Sequence, residues 1–271
     1  MRDLNIVKLI IVLVGIFLLG CTRNNLGDDA TQIRVFAAAS LTEALIEVNQ
    51  QFEQSQPGVE VIVNLAGSQQ LAQQLLFGAP ADVFASANEY QMDLVAASDR
   101  IEPGSQKIFA YNRLVVIFPV DNPGGIHDLV DLAKPGVRLI VATEQVPVGR
   151  YTLDFLEMAS QAPEFGQTYK QAVFGNIVSF EESVKFVLTK VSIGEADAGI
   201  VYVSDFIGAG SKKIRKLDIP DRLNPVARYP IAPILDSRNS KYADKFIDFI
   251  LSPQGQEIFE RHGFIPVANI P

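Results

Sequence analysis

Two serines stand where an apolar strand pattern gives way to a helix pattern. Ser40 follows residues 33–39 (IRVFAAA), and Ser68 follows residues 61–67 (VIVNLAG). A helix N-terminus has unpaired backbone N–H groups and a partial positive charge, so each junction could bind an anion. Small residues before each serine leave room at the carboxyl end of the strand, where ligands bind in open α/β sheets. The chemistry expected here is hydrogen-bond donation to an oxyanion.

Three more neutral donors fit the same pattern. Residues 146–153 (VPVGRYTL) and 177–188 (IVSFEESVKFVL) repeat the helix start. They would contribute the backbone N–H groups of Val148 and Val184, because valine has no polar side chain. Tyr202 ends the strand pattern AGIVY, so its phenol would emerge at a sheet edge as a neutral donor.

Each of these side chains also has a purely structural explanation. Ser40 precedes Glu43 by three residues, so the two could form a capping box for the helix that follows. Ser68 could likewise cap its own helix, and tyrosines at strand ends often only pack. Arg150 could clamp an oxyanion with two hydrogen bonds, but the usual exposure of arginine favours a solvated side chain.

The composition argues against an enzyme and against a nucleic-acid-binding protein. The only histidines, His127 and His262, belong to no visible pair of nucleophile and base, and the only cysteine is Cys21. We find no paired-carboxylate motif and no metal-ligand spacing, so we expect no catalysis and no cofactor. A net charge of −8 disfavours binding to nucleic acid.

Strand and helix patterns alternate along the chain, which predicts an α/β fold with parallel sheets. Helical faces recur with the spacing of an amphipathic helix, and Gly194 is placed to end one of them. The short apolar runs that predict buried strands are residues 33–36, 59–65, 83–85, 114–118, 139–141 and 199–201.

The length of 271 residues suits two lobes of roughly 100 to 150 residues each. Two segments, residues 111–119 and 228–233, are typical of crossings between lobes. Two crossings imply that one lobe is built from both ends of the chain. We therefore predict that lobe one comprises residues 30–112 plus 229–271 and that lobe two comprises residues 113–228.

The first 21 residues have the layout of a secretory signal peptide. Basic residues precede an apolar run at 9–19 that is short for a membrane span. The run ends in the tetrapeptide Leu-Leu-Gly-Cys at 18–21. That tetrapeptide resembles a bacterial lipoprotein box, which predicts lipidation of Cys21 and attachment to a membrane at the periplasm or cell surface. An uncleaved anchor or a core segment is the alternative. Residues 22–32 (TRNNLGDDATQ) are polar and predict a flexible tether.

Five segments taken together resemble the molybdate-binding proteins of bacterial molybdate ABC importers. They are VFAAASLTEAL from 35, GAPADVFASAN from 78, VPVGRY from 146, GEADAGIVYVSD from 194 and SPQGQEIFERHGF from 252. The resemblance spans about residues 33–264. It implies the type II periplasmic-binding-protein fold, with two lobes joined by a two-strand hinge around a cleft. It also implies a protein that delivers molybdate, and tungstate as well, to a membrane permease. We expect the protein to be a monomer.

The resemblance further implies the ligand set. Two serines, two backbone amides and a tyrosine hydroxyl would hold the oxyanion. On this chain they belong to Ser40, Ser68, Val148, Val184 and Tyr202. Molybdenum would be present only as bound molybdate. The chain departs from the pattern of the family at Gln69, Gln70 and Ser183. The alternative is the same fold with sulfate, another oxyanion or a small organic acid as cargo. An organic acid would usually require an arginine such as Arg150 in the cleft.

Overall fold

The computed structural model describes residues 30–210 and 212–269. The predicted signal peptide, Cys21 and most of the predicted tether lie outside the described residues. The first strand begins at Thr31, so the last two residues predicted as tether are part of a sheet. Within the described ranges, no helix is both long and apolar enough to cross a membrane.

Eleven strands of the described residues form two sheets. In chain order they are β1 (Thr31–Ala38), β2 (Val59–Ala66), β3 (Val83–Ala85), β4 (Lys107–Asn112), β5 (Leu114–Pro119), β6 (Leu139–Ala142), β7 (Ile177–Glu181), β8 (Ala198–Tyr202), β9 (Ile214–Asp218), β10 (Ala227–Pro233) and β11 (Ile265–Pro266). Sheet one has the order β11-β4-β10-β3-β1-β2, and sheet two has the order β7-β6-β8-β5-β9.

Nine α-helices of the described residues cover these sheets. They are α1 (Thr42–Ser55), α2 (Ser68–Leu76), α3 (Glu89–Ala96), α4 (Pro147–Gln161), α5 (Tyr169–Gly175), α6 (Val184–Ser192), α7 (Val203–Ala209), α8 (Ser240–Leu251) and α9 (Pro253–Arg261). All six strands predicted from apolar runs are present, with ends that differ by up to two residues.

The prediction of parallel sheets is correct only in part. Strand β1 pairs in parallel with β2 and β3, and β6 pairs in parallel with β7 and β8. Strand β10 is antiparallel to β3 and β4, and β5 is antiparallel to β8 and β9. A parallel pair needs a crossover connection, usually a helix. The chain instead reaches β5 and β10 from the other sheet, so both sheets are mixed.

The predicted helical faces form the core. Helix α1 buries Leu45, Val48 and Phe52, and α6 buries Val184, Val187, Leu188 and Val191. Strand β5 (LVVIFP) is buried along its whole length, as its continuous apolar run predicts. Gly194 has φ +79° just after α6, a conformation that glycine adopts without steric cost.

The chain crosses between the sheets twice. Only Arg113 separates β4 from β5, and residues 219–226 connect β9 to β10. Asn224 ties the two connections together, because its Nδ2 donates to Leu114 O at 2.8 Å and its Oδ1 accepts from Leu114 N at 2.9 Å.

The second crossing was predicted too late in the chain, at residues 228–233. Those residues belong to β10, inside sheet one. This strand accommodates Pro230 at a register shift between Tyr229 and Pro230.

Candidate oxyanion-binding site

A small cavity lies between the strand ends of the two sheets. Its volume is about 20 Å³, and the residues that line it include Ser40, Ser68, Val148, Val184 and Tyr202. The structure thus brings all five residues singled out from the sequence to one place. The other lining residues are alanine, glycine, valine, proline and serine, and no charged side chain is among them. A single water needs about 10–15 Å³ of such space, so the cavity suits a compact guest.

Ser40 lies in a 3₁₀ turn, Ala39–Leu41, between β1 and α1. Its Oγ is 2.9 Å from the hydroxyl of Tyr229. Helix α1 begins after this turn and has no side-chain cap, so the capping-box interpretation of Ser40 is wrong. The turn carries the serine away from the helix start, and Glu43 instead pairs with Lys185.

Ser68 is the first residue of α2, and Gly67 precedes the helix as its N-cap. The Ser68 Oγ accepts a hydrogen bond from Ala87 N at 3.0 Å. The hydroxyl therefore does not cap its own helix, and the capping interpretation is wrong here too. The side chain of Gln70 takes part in capping instead, because its Oε1 accepts from Gly67 N at 3.3 Å.

Two helices of sheet two begin at the cavity. Pro147 is the first residue of α4 and has no N–H, so the first amide of this helix is that of Val148. Helix α6 begins at Val184, and Ser183 caps it by accepting from Lys185 N at 3.3 Å. No hydrogen bond between the described residues uses the N–H of Val148 or Val184. Both amides are therefore free to donate into the cavity.

Tyr202 ends β8 with its side chain almost fully buried. Its hydroxyl has no hydrogen-bond partner within the part of the chain that the structure describes. Burial raises the pKa of Tyr202 well above its ordinary value, so the phenol is neutral and keeps its proton. A buried polar group without a partner costs about 1–3 kcal/mol, which an acceptor bound in the cavity would recover.

Arg150 lies outside the cavity. Its guanidinium is 2.8 Å from Glu144 Oε1 and 3.8 Å from Asp154 Oδ1, and more than half of the side chain is exposed. This agrees with the solvated position that its residue type favours. No arginine lines the cavity, so it lacks the clamp that a small organic acid would usually require.

Sequence reasoning missed contacts that join the two sides of the cavity. Lys185 Nζ of α6 is 2.7 Å from Glu43 Oε2 of α1 and 3.1 Å from the buried Asp205 Oδ1 of α7. Gln69 Nε2 donates to Glu182 O across the same gap at 3.0 Å. In the two contacts that cross between the sheets, Glu43–Lys185 and Gln69–Glu182, the partners are more than a hundred residues apart in the chain. No local sequence pattern pairs them.

Comparison with known proteins decides the family. Residues 33–265 match a family model described as bacterial extracellular solute-binding protein. The chain belongs to this family. A relative of this solute-binding protein is the molybdate-binding protein ModA of Mycobacterium tuberculosis, which is 37% identical over 235 residues, or 87% of this chain and 85% of the relative.

Solved structures show the fold of this solute-binding protein. The periplasmic molybdate-binding protein of Azotobacter vinelandii matches with a TM-score of 0.72 at 22% identity, over 88% of this chain and 99% of that chain. The sulfate-binding protein SubI of Mycobacterium tuberculosis matches with a TM-score of 0.79 at 20% identity, over 88% and 87%. These similarities confirm the predicted periplasmic-binding-protein fold.

The family also confirms the prediction that the chain is a binding protein for transport rather than an enzyme. Among the described residues, no group of three or more histidine, cysteine, aspartate or glutamate side chains could hold a metal ion. The lining of the cavity offers a guest uncharged hydrogen-bond donors.

Proposed function

We propose that this solute-binding protein captures molybdate through Ser40, Ser68, Val148, Val184 and Tyr202 and delivers it to the permease of an ABC importer. One observation carries the proposal: five neutral donors, from both sheets, line a single small cavity that has no charged side chain. The identity to a protein named for molybdate binding supports the same cargo.

The arrangement of the hydrogen bonds favours a fully deprotonated oxyanion. Each bond from a neutral donor to a charged acceptor contributes about 1.5–3 kcal/mol. The oxygen of Ser68 already accepts from Ala87 N, so this serine offers the cavity a proton. A protonated anion such as hydrogen phosphate would have to bury its own O–H against donors, which is unfavourable. Molybdate and tungstate are both tetrahedral dianions without such a proton, so we propose that both bind.

Release of the ligand requires the cavity to open. We propose that sheets one and two are the cores of two lobes and that Arg113 and residues 219–226 form the hinge between them. Because the donors come from both sheets, the ligand binds the closed form more tightly and shifts the population toward it. The permease would recognise that closed form.

The N-terminal segment supports a site of action outside the cytoplasm. We propose that Cys21 is lipidated and anchors a monomer to a membrane, on the strength of the Leu-Leu-Gly-Cys sequence. We expect Cys21→Ser to release the protein from the membrane fraction. Continued attachment of this variant would contradict a lipid anchor at Cys21.

Titration calorimetry of the purified full-length chain tests the cargo. We expect molybdate and tungstate to bind. Sulfate has the same charge and shape but is smaller, so we expect it to bind at least about a hundredfold more weakly. Phosphate should give no heat, because the cavity offers its proton no acceptor. Arg150→Ala serves as a control and should change the affinity for molybdate less than about twofold, since this arginine lies outside the cavity. Tighter binding of sulfate than of molybdate would overturn the proposal in favour of a sulfate carrier.

A further inference from the structure

Tyr229 lies directly behind the cavity and is not one of the five proposed ligand donors. It is a residue of β10, fully buried, and it does not line the cavity. Its ring packs edge-on against Phe109, Phe264 and Tyr202, with centroid distances of 6.2, 5.4 and 5.8 Å. Its hydroxyl is 2.9 Å from Ser40 Oγ. The side chain is therefore held rigidly, with its polar end against a serine of the site.

The direction of this hydrogen bond follows from where each proton can go. If Ser40 donated to Tyr229, the Tyr229 proton would need another acceptor. Among the described residues, Ser40 Oγ is the one group at hydrogen-bond distance from the Tyr229 hydroxyl. The side chains of Asn112 and Tyr202 also lie near it, but Asn112 lowers the pKa of Tyr229, and Tyr229 raises the pKa of Tyr202. Both effects are those of donors directed at the Tyr229 oxygen, so neither side chain offers its proton an acceptor. Such a buried, unpaired O–H is unfavourable. If Tyr229 donates to Ser40 instead, the Ser40 proton is free to face the cavity, where a bound anion accepts it.

We propose that Tyr229 is a positioning residue, whose hydroxyl donates to Ser40 Oγ and thereby turns the Ser40 proton toward the bound oxyanion. The inference rests on the proposed function, because it assumes an anion in the cavity. Burial raises the pKa of Tyr229 well above its ordinary value, so the phenol always has the proton that this role requires.

Ser68 shows the same arrangement with a different partner. Its oxygen accepts from the backbone N–H of Ala87 at 3.0 Å. In both serines, then, a donor behind the cavity occupies a lone pair of the hydroxyl oxygen. Chains of hydrogen bonds of this kind polarise one another, so the hydroxyl becomes a better donor to an anion. The two serines then donate hydrogen bonds to the cavity and accept none from it, which also strengthens the exclusion of protonated anions.

A double-mutant cycle with calorimetry tests the inference on the full-length chain with sodium molybdate as the probe. Tyr229→Phe removes the hydroxyl and keeps the packed ring. We expect it to weaken molybdate binding about tenfold, or 1.4 kcal/mol. In a Ser40→Ala background the same change should weaken binding less than about twofold, because Tyr229 acts only through Ser40. Tyr169→Phe is the matched control: it removes a buried phenol that donates to Leu129 O, and it should leave the affinity unchanged.

The outcomes separate this inference from the proposed function. If the unaltered chain does not bind molybdate, the proposed function fails and the inference with it. If the unaltered chain binds and Ser40→Ala weakens binding, but Tyr229→Phe does not, only the inference is overturned. A tenfold loss from Tyr229→Phe that persists in the Ser40→Ala background would also overturn it, because that loss would come from packing. A loss that disappears in that background supports it.

Discussion

The two sides of the cavity present their donors in different ways. Sheet one contributes two side-chain hydroxyls, those of Ser40 and Ser68. Sheet two contributes the main-chain amides of Val148 and Val184 at two helix starts, together with the phenol of Tyr202. An amide at a helix start points along the helix axis whatever side chain it carries. A hydroxyl rotates, so its neighbours must set its direction.

This contrast predicts where each side is vulnerable. The amides tolerate changes of side chain but not the loss of the N–H. The hydroxyls tolerate little, because the affinity depends both on the oxygen and on the group behind it. Variants of Val184, Ser68, Glu43 and Asp131 separate these cases by their effects on the affinity for molybdate.

Val184→Pro should have the largest effect, because it removes the N–H and places a ring carbon where that hydrogen was. Val184 is the first residue of α6, a position that accepts proline well. Ser183 before it has φ −157° and ψ 147°, which is compatible with a following proline. We expect calorimetry to show a loss of about a hundredfold or more, since one bond to a charged group alone contributes about 1.5–3 kcal/mol.

Val184→Ala is the matched control for the proline variant. It loses most of the same buried side chain but keeps the N–H, so we expect the affinity to change less than about threefold. Normal affinity in Val184→Pro would show that this amide is not a donor. An equal loss in both variants would show that side-chain packing, rather than the amide, sets the affinity on this side.

Ser68→Ala should lower the affinity by about ten- to thirtyfold, the loss expected for one hydrogen bond to a charged acceptor. It should also lower the melting temperature, because Ala87 N loses its acceptor. Ser98→Ala is a suitable comparison, since it removes a serine hydroxyl that donates to Val95 O, outside the cavity lining. Unchanged molybdate binding in Ser68→Ala would leave sheet one with Ser40 as its single donor.

The sequence predicted which residues meet at the cavity better than it predicted their contacts. A helix start after a strand is a local pattern, so the positions of Val148, Val184 and Ser68 follow from a few neighbouring residues. The capping interpretations failed for both serines because their hydroxyls bond to partners distant in the chain. Tyr229 is 189 residues from Ser40, and only the folded sheet brings them together.

The crossings between the sheets show the same limit. The first predicted segment, residues 111–119, contains Arg113, which separates β4 from β5. The second predicted segment lies within β10, where a register shift accommodates Pro230 and leaves no signal in the sequence. Local sequence patterns predicted most helices and strands, whereas only the folded structure shows the pairings between distant residues.

The ion pair between Lys185 and Glu43 tests whether the two sides depend on each other. Glu43→Gln removes the cross-sheet charge but keeps Lys185 beside Asp205. We expect about a threefold loss of affinity, because the closed form loses a partly exposed pair worth at most about 1 kcal/mol. Lys185→Met also leaves the buried Asp205 unpaired, so it should lower the free energy of unfolding by about 2–4 kcal/mol. Equal affinities in the unaltered chain and Glu43→Gln would show that the pair does not favour closure.

The stabilisation that this ion pair provides should decrease at alkaline pH. Burial opposes the charged form of Lys185, but the charges of Asp205 and Glu43 outweigh it and raise the pKa above the ordinary value of 10.5. A base with a raised pKa in the folded state stabilises the fold fully below its unfolded pKa. That stabilisation is lost as the pH rises through the folded pKa. We therefore expect Lys185→Met to become less different from the unaltered chain in alkaline melting curves.

Asp131 should have the smallest effect on affinity, although it stabilises the turn at residues 127–134. Its Oδ2 accepts from His127 N at 2.8 Å and Asp128 N at 2.9 Å, and Lys134 Nζ is 2.8 Å from its Oδ1. The bond from Lys134 lowers the pKa of Asp131 to about 2, against an ordinary value of 3.8. An acid with a lowered pKa stabilises the fold above its unfolded pKa, and this contribution is lost as the pH falls from about 4 to 2.

Asp131→Asn should therefore lower the free energy of unfolding by about 1–2 kcal/mol at pH 7 and flatten the acid melting profile between about pH 4 and 2. The exposed Asp121 provides the control, since Asp121→Asn should leave both unchanged. Neither variant should alter the affinity for molybdate, because the amides of Val148 and Val184 are fixed by their own helix starts. A weaker affinity in Asp131→Asn would show that the donors of sheet two depend on residues far from their own helix starts. The amides of sheet two would then depend on surrounding groups, as the hydroxyls of sheet one do.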